Sequence, residues 1–168
     1  SLGFLSEDAI LSVSPDGNML GDSEQRISTE SRMHLALYKE FDYNAVIHLH
    51  PPCLNSLVGA GVPLALSTYE TALMLGGMPP IVHQSGPTVT EIGPLLDAFT
   101  TQSIVILEKH GIVAAGDDLL EAFALADVAE EAARLTINQH ILQGSRGAEE
   151  QKEKSSDAPA LRVFSDEH

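Results

Sequence analysis

The stretch NAVIHLHPP, residues 44–52, constrains this chain more than any other. An apolar run of strand type carries two histidines one residue apart and stops at two prolines. On a strand, residues two apart point to the same face, so His48 and His50 present their imidazoles side by side, with Cα atoms about 6 to 7 Å apart. A core strand gains little from two imidazoles there. A metal site requires them, and zinc takes nitrogen ligands at roughly 2.0–2.1 Å.

A catalytic zinc site needs a third ligand. His110 is the best candidate, because it ends the strongest apolar run, SIVILEKHG (103–111), just before a glycine. If the two strands share a sheet and run parallel, the three histidines converge on one edge. The alternative, a strand end that simply faces water, stays open on the HLH pair alone; the third strand-end histidine weighs against it. His34 lies one helical turn after Glu30, either to orient it or as a half-buried helix residue. His83 and His140 have no identifiable partner, and Cys53 reads as a small core residue.

The elements alternate. AILSV (9–13) and NML (18–20) flank SPDG, whose Pro and Gly fit a tight turn and predict a hairpin. Helices are expected over 27–41, 53–61 and 68–77, the last ended by Gly76 and Gly77. Short strands are expected over 79–84 and 103–111, the latter buried on both faces and continued by GIVAAG after a turn at Gly111. TVTE (88–91) has the form of a capping box for a helix running to about Phe99. A long helix over 117–144 is expected, capped by Asp117 or Asp118 and ended by Gly144. The class is therefore α/β. Residues 1–144 form one domain in this reading. Residues 145–168 turn charged and polar, which predicts a disordered tail.

At 168 residues the chain is long enough for one domain with a real core. Its net charge of −15 argues against nucleic acid, whose phosphates need a basic face. A single cysteine gives no intrachain disulfide and fits a cytoplasmic location. No apolar run approaches the roughly 20 residues of a membrane span, so no membrane partner is expected. The opening SLGFLSEDAILSV reads as the middle of a domain.

STES (28–31) opens the first long helix. Free N–H groups and the dipole there favour an anion. Ser28 and Thr29 could hold a phosphate; as plain N-caps they need no ligand, and that is the more economical reading. Glu30 gains stability as an anion from the same dipole. Near a metal it would serve as proton acceptor or resting-state ligand.

Together NAVIHLHPP, STESRMHLALY and LEKHGIVAAG resemble, in order and spacing, the class II aldolase/adducin family. The resemblance runs from about Gly3 to Gly144. It implies that His48, His50 and His110 bind zinc or another divalent metal. Glu30 would be the catalytic acid/base, and Ser28 and Thr29 would hold the substrate phosphate. The implied fold is a three-layer α/β/α domain. Its central sheet is largely antiparallel, so the histidines need only meet at one sheet edge. The implied assembly is a homotetramer, and the implied substrate a small phosphorylated sugar or related hydroxy-carbonyl compound. The implied activity is retro-aldol cleavage of a ketose phosphate through an enediolate, with epimerisation, dehydration or decarboxylation at the same site as alternatives. A non-catalytic adducin-like or truncated metal-binding domain is a further one. Two departures stand out. The family's upstream block, with a Gly-Asn loop and Ser-Gly turn that complete the phosphate site, precedes where this chain opens. No C-terminal tyrosine acid is evident either; the tyrosines are Tyr38, Tyr43 and Tyr69.

Overall fold

The computed structural model describes residues 7–21 and 25–156, with only the backbone for Asp8 and for residues 147–156. A short hairpin comes first: β1 (Ser12–Val13) pairs antiparallel with β2 (Met19–Leu20). Its turn is closed by the Gly17 N–H on the Ser14 carbonyl at 2.8 Å, and Gly17 takes φ 83, where a side chain would strain. The rest follows as α1 (Ser31–Glu40), β3 (Ala45–Leu49), α2 (Pro52–Gly59), α3 (Tyr69–Leu75), β4 (Ile81–Val82), α4 (Ile92–Phe99), β5 (Ile104–Leu107), β6 (Gly111–Gly116) and α5 (Leu119–Ser156).

The main sheet has the order β3-β6-β5-β4. Strand β6 is antiparallel to both β3 and β5, and β4 is parallel to β5. The sheet is thus largely antiparallel, yet β3 and β5 run in the same direction with β6 between them. Their C-terminal ends therefore lie at one edge, where the histidines meet although β3 and β5 are not neighbours.

Alternation along β5 fills both faces. Ile104 and Ile106, with Ile112 and Ala114 of β6, pack under Leu54 and Leu57 of α2, Leu75 of α3 and the alanines of α5. Val105 and Leu107, with Val113 and Ala115, pack under Met33 and Leu37 of α1 and Leu95 and Phe99 of α4. Three layers result, helices on both sides of one sheet, as expected for this α/β class. Among the described residues no helix is long and apolar enough to cross a membrane.

Three helix boundaries differ from expectation. α1 starts at Ser31 with Glu30 as a cap residue whose side chain makes no capping bond to the helix; the Ser28 hydroxyl accepts the Glu30 N–H at 3.2 Å, closing a local turn. The TVTE capping box does not form: α4 starts at Ile92, and the Val89 N–H points to the Glu30 carboxylate at 3.5 Å. α5 does not stop at Gly144 but runs to Ser156. A helical glycine costs only about 1 kcal/mol against alanine, and nothing at Gly144 turns the chain left-handed. The rest of the expected disordered tail, residues 157–168, lies outside the described residues. Gly76 does end α3, at φ 64, and Asp118 does cap α5, accepting the Glu121 N–H at 2.8 Å.

Candidate metal centre

His48 lies on β3 two residues after Val46, whose side chain joins the core beneath α1 and α4. His48 and His50 therefore face the side of the sheet on which Glu30 opens α1. The prolines that follow direct the chain away: Pro51 is buried and extended, and Pro52 starts α2, where its missing N–H is no loss. His110 comes from the tight connection between β5 and β6. There the His110 N–H returns to the Leu107 carbonyl at 3.1 Å, and Lys109 takes the left-handed φ of 58.

The three imidazoles converge. Ring centroids lie 4.9 Å (His48–His50), 4.8 Å (His48–His110) and 5.0 Å (His50–His110) apart. One nitrogen from each lies within 4.8 Å of the others. His48 Nδ1 sits 2.9 Å from the Ile112 carbonyl, so Nδ1 carries the proton and donates it there. That choice of tautomer aims the Nε2 lone pair at the cluster, the arrangement seen around metal-bound histidines generally. Nε2 of His50 stands 3.1 Å from Nε2 of His48. His110 Nδ1 is buried and without a hydrogen-bond partner. A buried orphan nitrogen costs about 1–3 kcal/mol unless something meets it. Three imidazoles that bring one nitrogen each this close together suit a divalent transition metal.

Electrostatics keep two of the three donors, His48 and His110, neutral. Burial pushes His48 down to about 4; the bond to Ile112 opposes this and the neighbouring imidazoles add to it. Burial also lowers His110, and the Glu30 charge pulls against it. Glu30 thus acts on both, and on His34, whose own value burial lowers as well. His34 makes its bond to the Val46 backbone and meets Glu30 only through its charge. Ser28 and Thr29 are exposed in the turn before α1. Ser28, Ser31 and His34 line a cavity of about 1200 Å³ that also carries Arg26, Arg32 and Lys39, three of the nine Lys and Arg residues. Asp16 lines the same cavity.

Three features escaped the sequence. His83 has a partner after all: its Nδ1 lies 2.5 Å from Glu108 Oε2, which holds that carboxyl below its usual range. The strand pairing of β4 with β5 creates this contact, so no local motif announces it. Glu130 of α5 accepts the N–H groups of Cys53 and Leu54 at 3.0 and 2.9 Å, capping α2 from another helix. The same carboxylate, through a hydrogen bond, pushes the Cys53 thiol up, so Cys53 packs as an un-ionised side chain. Finally, the Asn55 amide donates to the His110 carbonyl at 3.2 Å.

The model of the Class II Aldolase and Adducin N-terminal domain matches residues 1–137. The chain belongs to the class II aldolase and adducin family. Within that family it is similar to the L-fuculose phosphate aldolase of Methanocaldococcus jannaschii, 33% identical over 141 residues, covering 81% of this chain and 73% of the relative. It is also similar to the 3-oxo-tetronate 4-phosphate decarboxylase of Haemophilus influenzae, 30% identical over 155 residues, covering 87% and 70%. Among solved structures, an L-fuculose 1-phosphate aldolase superposes with a TM-score of 0.71 at 26% identity, over 83% of this chain and 66% of that one. The family's L-fuculose-1-phosphate aldolase from Thermus thermophilus shares the fold at a TM-score of 0.70 and 24% identity, over 94% of this chain and 76% of that one. This chain thus spans roughly two thirds to three quarters of the length of these family members.

Proposed function

We propose that this protein is a metal-dependent lyase of the class II aldolase type that cleaves a C–C bond of a small ketose phosphate. The convergence of His48, His50 and His110, with donor nitrogens within 4.8 Å of one another beside the Glu30 charge, carries the reading. Zinc bound to the three nitrogens would supply Lewis acidity toward the substrate's oxygens.

The chain's own groups do the rest. The histidines hold their lone pairs free because burial keeps His48 and His110 from protonating near neutral pH. In a retro-aldol step a hydroxyl proton leaves, the C–C bond breaks, and the electron pair passes into the carbonyl fragment, which is then protonated. Glu30 is the group we assign to carry that proton. Ser28 and Thr29 are assigned to the phosphate, with Arg26 and Arg32 lending positive charge from the adjoining cavity. A homotetramer is the assembly this reading includes.

One observation favours a second reading. The similarity to a decarboxylase of a phosphorylated 3-oxo acid covers more of this chain than the similarity to the archaeal aldolase. Decarboxylation likewise leaves an electron pair beside a carbonyl, so the same groups serve it. The deciding experiment loads the protein with zinc and assays two panels, ketose 1-phosphates for aldehyde release and phosphorylated 3-oxo acids for CO₂ release. Aldehyde release supports the aldolase; CO₂ release alone makes it a decarboxylase. One equivalent of zinc with turnover on neither panel points to a non-catalytic metal-binding domain.

A further inference from the structure

We infer that Asn55 is a positioning residue that fixes His110 against His50, and that Glu130 anchors it. The inference rests on the metal-site reading above and adds residues to it that do not themselves belong to the donor set.

The three histidines are not held alike. The His48 ring is oriented by its own bond to the Ile112 carbonyl. His110 has no such bond, since its Nδ1 is buried without a partner. Its position depends on its backbone, which sits beside Lys109 in a left-handed conformation that non-glycine residues rarely adopt. Two bonds restrain that backbone. The N–H returns to Leu107 within the turn, and the carbonyl is held by the Asn55 amide from outside it.

Asn55 can restrain the turn only if α2 is itself fixed. This helix begins immediately after His50 and Pro51. Its first turn would leave the N–H groups of Cys53 and Leu54 unpaired. Glu130 takes both, one on each carboxylate oxygen. The bonds are charge-assisted and lie at the positive end of the helix, where a carboxylate is favoured. α2 is therefore a strut. One end continues into His50, Asn55 holds the His110 carbonyl, and Glu130 ties the strut to α5, which packs on the sheet. Residues that orient metal ligands commonly change metal affinity about 10–100-fold when removed.

The test measures zinc affinity by competition with a chromophoric chelator, using the full chain with Asn55→Asp, Asn55→Ala and Glu130→Gln. Asn55→Asp keeps the side-chain shape but has no N–H to offer the His110 carbonyl. The expected result is a zinc affinity about 10–100-fold weaker for both Asn55 variants, with a changed visible spectrum of the cobalt-substituted protein. The melting temperature of metal-free Asn55→Asp should stay within about 2–4 °C of the original. Glu130→Gln should both melt earlier and bind zinc less tightly. Wild-type affinity and spectrum in both Asn55 variants would overturn the inference while leaving the metal site intact. Wild-type zinc affinity in Glu130→Gln would reduce Glu130 to a helix cap and overturn its part. A wild-type chain that takes up no zinc overturns the metal reading itself, and this inference with it.

Discussion

At the scale of the residue, the site depends on the His48 and His110 rings, which burial holds unprotonated, and on the Glu30 side chain beside them. Replacing two of the three donors should leave nothing able to hold a metal. His48→Ala/His50→Ala is expected to lose about one equivalent of zinc, as read by elemental analysis after dialysis. Glu30 acts on His48 and His110 through space, and three nitrogens already make up a catalytic ligand set. Glu30→Gln should therefore keep its zinc and lose turnover, by about 10²–10⁴-fold in kcat on whichever substrate the two panels identify. Zinc release from this variant would instead make Glu30 a ligand.

At the scale of the element, close approaches decide what is tolerated. Gly111 starts β6 where β3 passes: a Cβ there would lie 2.2 Å from the Leu49 carbonyl oxygen and 2.7 Å from His50 Cδ2. Because the first of these is backbone, β3 and β6 must part to admit it. Gly111→Ala should cost about 3 kcal/mol in urea denaturation and weaken zinc binding at the same time. Thr136, buried on α5, accepts the Ala65 N–H at 2.9 Å and donates to the Ala132 carbonyl at 2.7 Å. Thr136→Val keeps the volume and leaves the Ala65 N–H unmet, for a loss of about 1–3 kcal/mol by the same measurement. The strands were legible because burial writes itself into composition: IVIL fills both faces, and HLH interrupts an apolar run. The caps were less so. Ser28, Thr88 and Glu91 carry the right letters, but the Ser28 hydroxyl is taken by a turn and the Val89 N–H turns to Glu30, fifty-nine positions away. Local motifs cannot record such distant claims on a donor. The same holds for His83 with Glu108 and for Glu130 on α2, each a contact made only by the assembled layers.

At the scale of the whole molecule, three buried or half-buried histidines, His34, His48 and His110, all have values lowered from the ordinary 6.5. Each is neutral in the fold and takes up a proton more readily when unfolded. Well above 6.5 neither state is protonated, and stability is fully retained. As the pH falls from there toward about 4, the value His48 keeps in the fold, the unfolded chain gains protons first and stability is lost. Urea unfolding of the metal-free protein should show this decline across that window. A stability that rose on acidification would contradict the burial of these rings.

The order of the strands also dictates a sequence in time. His48 hydrogen-bonds to Ile112, sixty-four positions later, and among the described residues β3 finds its only main-sheet neighbour in β6. At a synthesis rate of about 5–20 residues per second, that separation is several seconds of translation. During this interval the first two histidines have left the ribosome, while the strand that orients them and the third donor do not yet exist. Pairings so remote in sequence are slow to form even in a finished chain. The donor set is therefore complete only after β6 has been made, and α5, which packs on that strand, follows it still later.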